Sequence, residues 1–496
     1  MEHSIPIPIL GWNARDSYDQ MDPRFAVRLS NAIPDDTTLT TRKGYTELTT
    51  GLGDSVETLA TYVGESGTDA LLAFADGKIY DINTSTGTAT NKKTHNNNDR
   101  FKTLNINNLL VMVNGENTPA TYDGTTVADL TITGHSTPAS LNGVMSFKSR
   151  AYYWTENESS FWYAGAGAHT GALTEFGVDY VASKGGGITE IFTWTRDGGD
   201  GMDDLFVIMM NTGEVLVYQG SDPASDFSLI GKYTLGQPLS INGSCNLGSD
   251  RVIITRDGYV NLSTSLSQAR LNDNNVGKNI INAVKSKIKQ HASNYGWSIQ
   301  YLPSESLLLV NVPLSSTKVQ QHVMNTNTGA WCRFDNINSI SWIEHSNQAY
   351  FGTNDGKIMK AFNSYADDGS PIQVKIVPAF NPMGDRTREK TLTMCTILTN
   401  HSYPKFISID AHKDFNISSS GSLPLPPESA GALWDVADWD TVEWGEENDI
   451  ELEGVNAHKY PLIQYGYYLT IKIRHQSKLQ RVKYYSIKLK SKGGKA

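Results

Sequence analysis

Cysteine is nearly missing from this chain: Cys245, Cys332 and Cys395 are three in 496 residues. They are odd in number, widely spaced and contain no Cys-x-x-Cys pair. A disulfide framework and a zinc site are therefore not expected, and the three read as reduced, structural cysteines of a protein assembled in a cytosol. Long apolar runs are also missing. None approaches the ~20 residues of a membrane-spanning helix. The opening Met1-Glu-His-Ser-Ile-Pro-Ile-Pro-Ile-Leu10 has no basic region and two prolines in its apolar stretch, so it does not read as a signal peptide. Cations are in deficit, with 42 Lys and Arg against 52 Asp and Glu and a formal net charge of −10. A general nucleic-acid binder would carry a basic footprint. The deficit still permits a conduit through which DNA slides without sticking.

Catalytic signatures are lacking too. There is no Gly-x-Ser-x-Gly elbow, no His-Glu-x-x-His and no phosphate-binding Walker loop. The eleven histidines are scattered. The repeated Ser-x-Asp-x-Gly-x-x-Trp box of sialidase-type propellers has one imperfect counterpart, Asn325-Thr-Asn-Thr-Gly-Ala-Trp331. It reads better as a chain reversal with Trp331 packed between neighbouring sheets. Asp197-Gly-Gly-Asp-Gly-Met-Asp-Asp204 groups carboxylates on a flexible loop, which would suit Ca²⁺, but it lacks the ligand spacing and closing Glu of an EF-hand. It reads as an exposed acidic loop. No catalytic, cofactor or metal residue is expected.

What the chain has in quantity is hairpin chemistry. Leu71-Leu-Ala-Phe-Ala-Asp-Gly-Lys-Ile-Tyr80, Leu109-Leu-Val-Met-Val-Asn-Gly115, Leu205-Phe-Val-Ile-Met-Met-Asn-Thr-Gly213, Val252-Ile-Ile-Thr-Arg-Asp-Gly-Tyr-Val260 and Tyr350-Phe-Gly-Thr-Asn-Asp-Gly-Lys-Ile-Met359 repeat one pattern. Each is an apolar β run followed by residues that tolerate the positive φ of a tight turn. Ala151-Tyr-Tyr-Trp-Thr-Glu-Asn157 and Leu307-Leu-Leu-Val-Asn-Val-Pro313 are weaker copies. The turns fall near residues 76, 114, 157, 211, 257, 313 and 355, in steps of 38 to 56. Strand pairs at a period of roughly 40–50 residues indicate a β-propeller, one blade per period. The expected fold is all-β: a propeller of six to eight blades, about seven, over 51–365, and a C-terminal antiparallel β-sandwich over 366–496. Residues 1–50 form an extended segment that either completes a blade or packs with the C-terminal domain.

One helix is expected, from Asp273 to Ala292, capped by Asp273 or a neighbouring Asn. Val276, Ile280, Val284 and Ile288 form its apolar stripe, and Lys278, Lys285, Lys287 and Lys289 lie off it. After 366 the strands lengthen and alternate, as in Tyr468-Leu-Thr-Ile-Lys-Ile-Arg474 and Lys483-Tyr-Tyr-Ser-Ile-Lys-Leu489, so that one face of each is buried. Ser418 to Ser429 reads as a loop. Trp434 to Glu453 then carries nine acids and no base, and no acid follows Glu453, whereas ten Lys and Arg do. Opposite charge blocks can pair within a subunit or across an interface. Trp434, Trp439 and Trp444, spaced by five, read as aromatic anchors for a sandwich or a neighbouring subunit.

Two N-terminal stretches carry a resemblance: Gln20-Met-Asp-Pro-Arg-Phe-Ala-Val-Arg-Leu-Ser-Asn-Ala-Ile-Pro34 and Leu39-Thr-Thr-Arg-Lys-Gly-Tyr45. With Met324-Asn-Thr-Asn-Thr-Gly-Ala-Trp-Cys-Arg-Phe334, Ala349-Tyr-Phe-Gly-Thr-Asn-Asp-Gly-Lys-Ile358 and the Trp434-to-Trp444 stretch, they resemble the tail nozzle proteins of short-tailed bacteriophages (podoviruses). That family is also called tail tubular protein B, tail hub or packaged-DNA stabilisation proteins. The resemblance implies a structural virion protein, not an enzyme, without cofactors. It implies a homo-hexamer below an adaptor or gatekeeper ring, with tail fibres or spikes at its upper rim and double-stranded DNA passing through during ejection. The location implied is the virion tail, assembled in the bacterial cytoplasm. Larger members carry insertions that form tip domains. No such insertion is evident here, so the tip falls to other proteins. The residues expected at subunit interfaces are Trp434, Trp439, Trp444, Asp435, Asp438, Asp440, Arg24 and Arg42.

The main alternative is a propeller glycosidase or depolymerase with a carbohydrate-binding sandwich. There, two of Asp438, Asp440 and Glu443 would be the acid pair, ~5 or ~9 Å apart, and the three tryptophans a sugar-stacking platform. A cellular propeller scaffold would repeat Trp-Asp or Kelch signatures in every blade. Trp-Asp occurs here only at 434 and 439.

Overall fold

The turn chemistry does what the pattern requires. Asp76 and Gly77 adopt φ of 54° and 62°, the twist that matches two antiparallel strands. In the computed structural model, which describes residues 2–65, 67–96, 98–197, 202–267, 275–400, 407–417 and 455–493, such hairpins stack into seven sheets arranged as blades. Blade 1 runs Thr58–Tyr62, Ala70–Ala75, Lys78–Ile82 and Ala89–Thr94. Blade 2 runs Lys102–Ile106, Leu109–Val113, Ala120–Tyr122 and Val127–Asp129. Blade 3 runs Gly143–Phe147, Arg150–Trp154, Ser160–Tyr163 and Thr174–Gly177. Blade 4 runs Ile188–Asp197, Met202–Met210, Glu214–Gln219 and Ser228–Thr234. Blade 5 has three strands among the described residues, Ser244–Leu247, Asp250–Thr255 and Gly258–Asn261. Blade 6 runs Ser298–Leu302, Leu307–Pro313, Val319–Asn325 and Trp331–Phe334. Blade 7 runs Ser339–His345, Gln348–Thr353 and Ile358–Ser364. All seven turns read from the sequence join the second strand of a blade to its third.

The first strands of several neighbouring blades touch one another, and the strand of blade 7 meets that of blade 1. Apolar side chains fill each seam. Phe74 of blade 1 stacks on Phe101 at the start of blade 2, and Phe147 of blade 3 meets Phe206 of blade 4 edge-on. Trp331, fully buried, stacks on Tyr259 of blade 5, so it packs between blades as its turn implied. The fold is a β-propeller.

The N-terminal segment closes the ring. Strand Gly44–Thr49 pairs antiparallel with Ile358–Ser364 and becomes the outermost strand of blade 7. The chain then passes directly into blade 1, so first and last blades are joined by backbone hydrogen bonds.

The rest of the segment joins a two-sheet unit with the C-terminal strands. One sheet holds Asn456–Gly466, Lys390–Thr399, Lys483–Gly493, Leu39–Thr41 and Ala32–Pro34, with Glu2–Ile5 also on Lys483–Gly493. The other holds Phe25–Ser30, Ile372–Pro378, Leu469–Ser477 and Ile407–Lys413. Leu392, Ile397, Ile487 and Leu489 of the first share one core with Leu29, Val374, Ile471 and Ile473 of the second. The second sheet does not end there. Gly11–Trp12 pairs with both Phe25–Ser30 and blade 6's Trp331–Phe334, making one nine-stranded sheet that runs from blade 6 into the unit.

The helix is shorter than its apolar stripe suggested: a 3-10 turn Lys278–Ile280 leads into helix Ile281–His291. Val276 precedes it, where its N–H bonds Tyr259 O. The proposed cap Asp273 lies outside the described residues, and no side chain caps the observed start. Ile280, Val284 and Ile288 are buried, while Lys278, Lys285 and Lys289 are exposed. The three cysteines form no disulfide, and burial pushes the Cys395 thiol up to about 12.

His322 of blade 6 lies buried between Trp12 and Tyr259, whose hydroxyl is 2.9 Å from Nδ1. Burial, with Arg333 and Lys287 adding, lowers its pKa from 6.5 to about 3. The unfolded chain takes up this proton below pH 6.5 and the folded one only near 3, so stability falls as pH drops through that window. The loss is about 3 kcal/mol between pH 7 and 4. Urea unfolding of His322→Asn at the two pH values is expected to show a pH effect smaller than wild type by that amount.

Candidate functional site

Charged residues cluster near the beginnings of first strands, and they bridge blades that are not neighbours. Lys102 of blade 2 sends Nζ to Ile241 O at 2.8 Å, Asn242 Oδ1 at 3.1 Å and Glu190 Oε1 at 3.4 Å. Glu190 belongs to blade 4, and residues 241 and 242 lead into blade 5. Ser244 Oγ donates to Glu190 Oε2 at 2.6 Å, and Arg251 Nη2 reaches Oε1 at 3.2 Å. Arg251 Nε also donates to Ser244 Oγ at 2.9 Å, and its guanidinium lies over the Phe192 ring. Beside this network, Arg100 forms a two-pronged pair with Glu57 before blade 1, and its Cζ sits 3.5 Å from the Tyr295 ring centroid before blade 6.

This arrangement braces the ring. Both Glu190 oxygens are engaged by donors. Ser244 Oγ accepts from Arg251 Nε and donates to Glu190 Oε2, so both sides of the hydroxyl are held. A cleft of about 170 Å³ between blades 1 and 2 is lined by Lys93, His95, Phe101, Asn117 and Asp129 among others. Next to it the buried His95 and Asp99 side chains meet at 3.3 Å, and Asp99 accepts the Gly77 N–H, stitching the seam. Among the described residues no group of three or more His, Cys, Asp and Glu could hold a metal ion.

The sequence reading missed Lys102, Glu190, Arg251, Arg100 and Glu57. Their one local signal is a charge recurring just before or within the first residues of inner strands, as in Glu57-Thr58 and Arg100-Phe-Lys102. Of the expected interface residues, Trp434, Trp439, Trp444, Asp435, Asp438 and Asp440 lie outside the described residues, as do Glu443 and part of the Asp197–Asp204 loop. Arg24 is exposed and holds the neighbouring Asp22 carboxylate at 2.8 Å.

Arg42 is corrected: it is no surface residue. Its side chain is 0% exposed and forks onto both oxygens of Asp367, at 2.7 and 2.6 Å. Its Nε donates to Asn31 Oδ1 at 2.9 Å and Nη1 to Lys43 O at 3.0 Å. Asn31, at φ 58°, is tied by its backbone N–H to Arg333 O in blade 6 and by its side-chain amide to Gln373 O in the two-sheet unit. The residues beside Arg42 act at the same junction. Lys43 pairs with Glu305 of blade 6 at 2.9 Å, and Tyr45 meets Phe351 of blade 7 edge-on. A Cβ on Gly44 would stand 2.0 Å from Ala366 O, so only glycine fits. Arg-Lys-Gly-Tyr thus locks propeller to sandwich within one chain.

Breaking one half of such a pair strands a buried charge. Arg42→Met is expected to lower the unfolding free energy by about 3–5 kcal/mol, and adding Asp367→Leu to recover most of it, as read by urea denaturation.

No protein-family model and no curated protein sequence matches this chain. Among solved structures it is similar to the computationally designed Ika8 protein, at 12% identity and TM-score 0.39, over 64% of this chain and 99% of that one. YCF48 from Cyanidioschyzon merolae matches at 9% identity and TM-score 0.39, over 64% and 98%. Raptor from Chaetomium thermophilum matches at 11% and 0.42, over 65% of this chain and 30% of its own. The propeller assignment rests on the sheet connectivity of the chain itself.

Proposed function

We propose that the protein is a structural component of a short-tailed phage virion, six copies of which form the tail nozzle that seals in and conducts genomic DNA. The observation that carries this reading is what the nozzle-like N-terminal stretch does in the fold. The residues that resemble the nozzle family, Phe25 to Pro34 and Leu39 to Tyr45, are the strands and the buried Arg42 clamp that fix propeller to sandwich. A tube wall under pressure needs such a stiff seam.

In this reading DNA passes between subunits and not through a propeller, whose blades 2 and 4 are linked by Lys102 and Glu190 and blades 2 and 6 by Arg100 and Tyr295. Duplex DNA carries one charge per ~1.7 Å of axis. Six copies at −10 each carry −60, and an acidic lining repels DNA and lets it slide. The adaptor ring above, fibres or spikes at the rim and location in the virion tail complete the proposal. No helix among the described residues is long and apolar enough to cross a membrane.

Purified protein is expected to show a native mass near six times 54.5 kDa, alone or when joined to its adaptor ring, with more acidic than basic side chains on the lumen of the reconstructed ring. It is expected to release no sugars from capsular polysaccharide. A monomer under both conditions, a basic lining or brisk hydrolysis would overturn the reading.

A further inference from the structure

The outer face of the first sheet of the sandwich is cationic and partly apolar. Leu392, Cys395, Ile397, Ile487 and Leu489 turn into the core, so the residues alternating with them face outward. Thr396 stands between Lys459 and Lys488, Met394 between Pro461 and Lys490, and Thr391 between Tyr465 and Lys492. Ile463 lies on the same face, between Pro461 and Tyr465 along its strand. The four lysines are exposed, and Ile463 and Tyr465 are 77% and 54% exposed. The six strands of this sheet contain one carboxylate, Glu2, which stands opposite Lys490. Among the described residues no acid lies within ion-pair distance of any of the four ammonium groups.

The opposite character appears on the outer rim of blades 3 and 4. Thr174–Gly177 is the outermost strand of blade 3 and carries Glu175. The bond from Val178 N–H to Ser159 O, at 2.8 Å, extends its pairing and brings Asp179 beside Glu158. All three acids are exposed, and like charges on paired strands repel. Tyr180 follows, 75% exposed. Lys232, on the outermost strand of blade 4, donates to Val181 O at 2.9 Å, which draws that strand, with its exposed Leu229 and Ile230, against this stretch. Of the rim cations, Lys232 is held there and Arg150 is held by Asp222 at 3.1 Å. That leaves Lys184 against the three acids.

Two apolar patches bordered by opposite charges complement each other. They cannot meet within one chain: the sandwich grows from the outermost strand of blade 6, and blade 3 lies three blades from both blade 6 and blade 7. A contact of like face on like face would set lysines on lysines or acids on acids. With a net charge of −10 on each chain, unmatched approaches repel as well. We propose that the sheet face bearing Lys459, Lys488, Lys490, Lys492, Ile463 and Tyr465 docks on the rim of blades 3 and 4 of a second copy, at Glu158, Glu175, Asp179 and Tyr180. Such a head-to-tail contact closes into a ring when its rotation divides the circle. The proposal rests on the reading of the chain as a ring subunit and adds which surfaces meet.

Charge reversal tests it, with native mass measured under the conditions in which wild type assembles. The triple variants Lys488→Glu/Lys490→Glu/Lys492→Glu and Glu158→Lys/Glu175→Lys/Asp179→Lys are each expected to remain at 54.5 kDa, because like charges then face each other. A chain carrying all six changes is expected to regain the wild-type mass, because opposite charges face again. Full assembly of either triple variant, or a folded six-change variant that stays monomeric, would overturn the proposal and leave the nozzle reading standing. A wild type that is monomeric under every condition would overturn both. Carbodiimide coupling of the wild-type protein decides the matter even if a variant does not fold, because an amide forms only where a lysine touches a carboxylate. With ¹⁴N- and ¹⁵N-labelled chains mixed before assembly, amides are expected between Lys488, Lys490 or Lys492 and Glu158, Glu175 or Asp179 in mixed-isotope pairs. No mixed-isotope amide between the two sets would overturn the proposal.

Discussion

The Arg42–Asp367 ion pair stands where three bodies of structure meet: blade 6, blade 7 and the two-sheet unit. A guanidinium removed from water is costly unless every donor is aimed at an acceptor, and here the acceptors come from Asn31, Lys43 and Asp367. The pair therefore acts as a geometric key. It is satisfied only when the strand before Gly44 and the turn after blade 7 are in register. That same register sets strand Gly44–Thr49 on the edge of blade 7 and closes the ring.

The clamp also explains why the N-terminal segment is not an arm laid on a finished domain. The chain builds four strands of the sandwich, turns at Arg42, closes the propeller, runs round all seven blades and returns at Ile372 to finish the sandwich. Blade 6 and the sandwich share one continuous sheet through Gly11–Trp12. Rotation of one part against the other would break backbone pairs as well as the buried ion pair. Lys102, Ser244 and Arg251 all direct donors to the Glu190 carboxylate and so tie blades 2, 4 and 5 together.

Much of this was legible in the residues. Asp-Gly and Asn-Gly turns announce themselves because positive φ is a local property of the residue types, so all seven second-to-third strand turns could be placed. Period-two alternation after 366 gave the sandwich for the same reason. The turns between first and second strands were not legible. Asn107-Asn108, Lys148-Ser149 and Ser346-Asn347 hold the same left-handed conformation without glycine, and no local preference of Lys148 or Ser149 favours it. Paired strands impose it. Among the described residues the helix begins later than its apolar spacing implied, for a related reason. Val276 keeps the apolar spacing, but its N–H is taken by Tyr259 of blade 5.

The residues alone determined that the chain is made of short antiparallel strands in seven repeats and a sandwich, because turn propensity and alternation act over two to eight neighbours. Where those pieces touch was decided only in three dimensions. Arg42 and Asp367 are 325 positions apart, and Lys102 reaches partners 88 and 139 positions away. Such pairings depend on ring closure and sheet register, which no short window of sequence records. Arg42 therefore read as an interface residue when it is the chain's own buried key.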